Sequence, residues 1–157
     1  MPPTSPPELR RRCGARGGAG TIPPLRPHPP THTIWFAPHS QTYIIITLYD
    51  ALTSTSPTAV AISTLLREAS AAILFRIGVG GDGIIPQGQW TFLSGTTPSG
   101  MTSMLLGVRN AGNHQTTWGV LNAALVAVSG CMQEKGWGPA VFDIYDGVNQ
   151  VGTGMIA

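Results

Sequence analysis

Residues 56–73 read SPTAVAISTLLREASAAI, and residues 115–132 read QTTWGVLNAALVAVSGCM. In the first stretch Ile62, Leu65, Leu66, Ala69, Ala72 and Ile73 recur every three or four positions, which is one apolar stripe along an α-helix. In the second, Leu121, Ala124, Leu125, Val128, Cys131 and Met132 repeat that stripe, each 59 residues later. Ser56 suits the N-cap and Pro57 the first helical position. Gly78, Gly80, Gly81 and Gly83 end the first helix. Lys135 and then Gly136, with Pro139 beyond, end the second.

Strands are predicted around both helices. Thr42 to Tyr49 is β-branched and aromatic, a strand buried on both faces near its middle. Gln89 to Leu93 reads as a strand with Trp90 and Phe92 on one face. Met101 to Val108 is a third strand, and Asn110 to Thr117 a polar turn. Ala140 to Tyr145 is a strand, Asp146 to Asn149 a turn, and Gln150 to Ile156 a closing strand. The order strand–helix–strand thus occurs twice, over residues 42–95 and 101–157, as an internal repeat would give. The matching stripe does not itself require duplication. At this shift the helices share only Thr58/Thr117, Leu66/Leu125 and Ser70/Ser129. The predicted fold is α+β: two β-α-β(β) units forming an antiparallel or mixed sheet with two helices on one face, a ferredoxin-like two-layer sandwich.

Residues 1–31 have a different texture. Nine of the fourteen prolines lie there, with Arg10, Arg11, Arg12, Arg16 and Arg26 against Glu8, a net charge of +4. Residues 32–157 carry −2, so the basic balance belongs to the leading segment. With Ile22 and Leu25 nearly its only large apolar residues, that segment is predicted to be a disordered Pro/Arg/Gly-rich tail, favouring polyproline II over residues 23–30. The organisation expected is a 1–31 tail and a single 32–157 domain. Localisation is cytoplasmic by default, and a misplaced start codon would leave secretion open.

Only 10% of the 157 residues are charged, against about 25% in ordinary domains. That argues against a nucleic-acid groove, and no continuous apolar run approaches the ~20 residues of a membrane span. Neither nucleic acid nor membrane is an expected partner. Cys131 sits on the helical stripe and Cys13 in the tail. No CxxC or Cys/His spacing points to zinc, so no metal and no cofactor is expected. Gly78 to Gly83 resembles a phosphate cradle, but it follows a helix where a dinucleotide fingerprint follows a strand. His114, in a polar loop before the second helix, could act as a base or line an anion site. Asp50 and Asp143 lie at or in strands, where paired carboxylates would have to converge to act. Trp118 and Trp137, at the two ends of the second helix, could stack on a ligand or anchor an interface.

Trp118, Trp137, His114, Asp50 and Asp143 are therefore the ligand or interface candidates, and no catalytic residue is assigned. The expected function is a non-catalytic module acting by self-association, as a homodimer, or by binding another protein. The final strand is expected to be free to pair between copies. One alternative is a small enzyme or ligand binder with a pocket between sheet and helices, using His114 with Asp50 or Asp143. Another is a secreted toxin-like or effector-like sandwich.

Overall fold

The computed structural model describes residues 32–94 and 103–157. The predicted tail, with Cys13 and His28, lies outside the described residues, as do Met101 and Thr102 at the start of one predicted strand. The chain runs β1 (His32–Phe36), β2 (Thr42–Leu48), α1 (Pro57–Gly80), β3 (Gln89–Leu93), β4 (Leu105–Asn110), α2 (Trp118–Lys135), β5 (Ala140–Asp146) and β6 (Asn149–Ile156). It is an α+β structure with one six-stranded antiparallel sheet and two helices. β1 was not read from the sequence.

The helices begin and end where local chemistry directs. Ser56 Oγ accepts from the Ala59 amide at 3.1 Å and Pro57 opens α1. The helix runs through Gly78 and Gly80 before Gly81, at φ +80, turns the chain away. Thr117 caps α2, and Gly136 closes it at φ +109, its amide donating to Met132 O. By length and composition alone α1 could cross a membrane, with a mean hydropathy of 1.4 over its most apolar window. In the fold it is a core helix: Ile62, Leu65, Leu66, Ala69 and Ile73 are buried, and it packs on α2 and the sheet. Leu121, Ala124, Leu125, Val128, Cys131 and Met132 of α2 are buried likewise. They meet Ile44, Ile46, Leu106, Phe142 and Ile144 from one face of the sheet, so side chains fill the space between the layers.

The strand order is β1-β2-β5-β6-β4-β3, with every ladder antiparallel. Three hairpins make the sheet, and the last in sequence occupies its centre. One expectation changes here. β6 is flanked by β5 and β4 and offers no edge; the edges are β1 and β3. The strands that each helix joins are separated in the sheet. β5, β6 and β4 stand between β2 and β3, while β6 alone separates β4 from β5. The reason is the tight Asp146–Asn149 turn, with Gly147 at φ +59, which folds β5 and β6 into a hairpin that enters as a unit.

Candidate functional site

Successive side chains on a strand point to opposite faces. The registers therefore fix what the helix-free face carries. One row across it is Ile34, Ile45, Asp143, Thr153, Arg109 and Gln89, on β1, β2, β5, β6, β4 and β3 in turn. The next is His32, Thr47, Val141, Met155, Gly107 and Thr91. All of these but Ile34 line a hollow of about 560 Å³. Towards one end Phe36, Tyr43 and Tyr145 form an aromatic ladder, with ring centroids 5.2 Å and 4.9 Å apart.

The polar groups in the hollow are held loosely. Arg109 Nε donates to Thr153 Oγ1 at 3.2 Å, and His32 Nδ1 lies 2.8 Å from Thr47 Oγ1. Asp143 and Arg109 flank Thr153 on adjacent strands, about 10 Å apart at the spacing of two strands. Among the described residues the ion pair is Glu134–Lys135, remote from this face. Asp143 and Arg109 thus present opposite charges side by side without joining.

Of the five residues singled out from sequence, Asp143 alone lies in this hollow. Trp118 is buried at the start of α2, edge-on to Trp90 at 5.6 Å, with the Arg76 guanidinium 5.0 Å over its ring. It forms one wall of a second depression, with Phe75, Arg76 and Val79 at the end of α1. Trp137 is also buried; its backbone pairs with Leu52, and it borders a groove between the helices and Trp35. His114 is exposed on a turn closed by its amide to Ala111 O, and it borders none of these hollows. Asp50 is exposed, and its carboxylate accepts from the Ala51 amide. Sequence reasoning missed Arg109, Thr153 and His32. The alternation Leu105, Gly107, Arg109 marked one set of outward positions, but nothing local said that they meet Asp143.

The glycine-rich stretch after α1 acts on a helix, not on a phosphate. Asp82 Oδ1 accepts from the Gly119 amide at 2.7 Å, and Thr117 Oγ1 donates to Asp82 Oδ2 at 3.3 Å. Gly83 O takes the Trp118 amide, and Thr117 Oγ1 takes that of Val120. The first-turn donors of α2 are thereby satisfied, three of them by this loop and its cap. We expect Asp82→Ala to lower stability by about 1 kcal/mol and Asp82→Asn by less, since the amide oxygen can still accept. Thermal unfolding by circular dichroism checks the order; equal losses would mean that charge, not the hydrogen bond, matters.

Cys131 is buried on α2, and burial pushes its thiol above the ordinary range, which keeps it protonated and unreactive. No group of three or more His, Cys, Asp or Glu side chains is placed to hold a metal ion among the described residues. Comparison of the chain with known protein families, with curated proteins and with solved structures finds no match.

Proposed function

We propose that this chain is a non-catalytic α+β module that acts by self-association through the helix-free face of its sheet. The observation that carries this reading is the composition of that face. An antiparallel sheet covered by helices on one side is usually polar on the other. Here Ile34, Phe36, Leu93, Val141 and Met155 stand exposed on it, Phe36 by 64% and Leu93 by 60%. Tyr43, Ile45 and Tyr145 fill in between them. Exposed aromatic, aliphatic and methionine side chains are typical of interfaces; here Met155 and Val141 stand on the central strands and Ile34, Phe36 and Leu93 on the edge strands. A second apolar area, Leu74, Phe75 and Val79 at the end of α1, has Arg76 in its midst.

We take the layering as ferredoxin-like only in the split β-α-β sense, with β1 added at one edge and β6 inserted at the centre. In support, each helix joins two strands that run the same way with others inserted between them. A small-ligand site is a second reading, favoured by the charged and hydroxyl groups in the hollow.

Light scattering over a dilution series tests the main reading. The chain is expected to be a dimer that dissociates on dilution. Met155→Lys, at the middle of the face, is expected to weaken it at least tenfold, about 1.4 kcal/mol. A single-chain mass at every concentration would reject self-association. If the melting temperature of that monomer then rose with small charged solutes, the ligand reading would replace it.

A further inference from the structure

We infer that the partner on this face is a second copy, docked about a two-fold axis that runs along β6 over Thr153. The inference rests on the association reading and adds its geometry. In a symmetric dimer the same patch must be complementary to itself. The row Ile34, Ile45, Asp143, Thr153, Arg109, Gln89 has its acid one strand to one side of β6 and its base one strand to the other. An axis parallel to β6 exchanges left and right within the row. It lays Asp143 of each copy over Arg109 of the other, twice per dimer. An axis crossing the strands at right angles would lay Asp143 on Asp143 and Arg109 on Arg109. An axis along β5 or β4 would stack like on like at one of the two positions.

The next row obeys the same rule. Val141 falls over Gly107, which has no side chain, and Met155 over Met155 at the centre. Thr47 falls over Thr91. Side chains of the second copy thus enter the hollow above Gly107 and Thr153. Sheets pack about 10 Å apart, a gap that an extended Arg and an Asp from facing sheets span between them. About this axis β5 faces β4, β2 faces β3 and β1 lies beyond the overlap; five strands at ~4.8 Å and five or six residues at ~3.3 Å give roughly 430 Å² per copy, so about 860 Å² in all, the size of a weak, reversible interface. Affinity comes from the apolar residues. The charges choose the alignment, because covering either one unpaired is costly.

The test uses Asp143→Arg and Arg109→Asp, alone, mixed and combined. Each single variant sets like charges opposite each other and is expected to raise the dimer Kd by about a hundredfold. An equimolar mixture of the two restores opposite charges at both positions, and a heterodimer is expected within about tenfold of the original Kd by native mass spectrometry. The doubly substituted chain keeps the net charge and is expected to dimerise with itself; it stands in should a single variant fold poorly. A dimeric original chain with unaffected single variants, or with a mixture and double variant that stay monomeric, overturns this geometry and leaves self-association standing. A monomeric original chain overturns both.

Discussion

Gly154→Ala is expected to cost about 3 kcal/mol, at the upper end of overpacking losses. Gly154 lies on β6 at the centre of the sheet, with its Cα facing the helices, opposite Phe142 on β5 and Val108 on β4. A Cβ built there would overlap Cζ and Cε2 at the tip of the Phe142 ring. The ring is 2% exposed and enclosed by the core, so it cannot swing clear. Strands normally disfavour glycine; here the empty position is the space the ring fills. For a domain of this size the loss corresponds to a fall in melting temperature of roughly 10 °C. Phe142→Leu alone should also destabilise, by leaving a void. Combined, the two should lose at least 1 kcal/mol less than their sum, as substitutions in contact do. Urea unfolding of the four proteins measures this coupling, and simple additivity would show that the ring and the glycine do not share one space.

Gly138→Ala is expected to cost nearly as much, about 2–3 kcal/mol, for a different reason. A Cβ at Gly138 would lie 2.5 Å from the carbonyl oxygen of Asp50 and 2.9 Å from its carbonyl carbon. These are backbone atoms, with no rotamer to yield. The two segments are also clamped: Tyr49 N donates to Pro139 O at 3.0 Å, and Leu52 and Trp137 exchange hydrogen bonds at 2.8 and 2.9 Å. Asp50→Ala removes only the local contact to the Ala51 amide and should lose under about 1 kcal/mol. Thermal melts of the two variants decide whether the Asp50 backbone or its carboxylate matters. A carboxylate substitution as damaging as the glycine one would reverse the assignment.

The helices were legible because the signals that make them are local. Ser56, Pro57, Thr117 and Gly136 lie within a turn of the ends they set, and nearly every residue of the two stripes is buried. The sheet was legible strand by strand but not in its order. Nothing in Gln150–Ile156 tells whether the strand will be an edge or a centre, because that depends on β4, whose partner residues lie far earlier in the chain, as Leu106 does from Ile156. β1 escaped notice because His32–Phe36 is short and adjoins the proline-rich segment. The candidate site failed in the same way. Asp143 could be picked out as a strand carboxylate, but Arg109 and Thr153 become its neighbours only through registers set by distant pairing. Trp118 was ambiguous because what covers it, Arg76, comes from the other helix.

The central position of β5 and β6 also bears on how the chain is made. The ribosome releases the first two hairpins and both helices before the pair that joins them. The β2–β5 ladder links positions as far apart as Thr42 and Asp146. Until then β2 and β4 each keep one edge unsatisfied, and apolar strand faces wait without cover, which is the condition that invites misassembly and chaperone capture. Productive folding is therefore a late zipping event, and substitutions that loosen the Asp146–Asn149 turn should lower the yield of native protein more than its final stability.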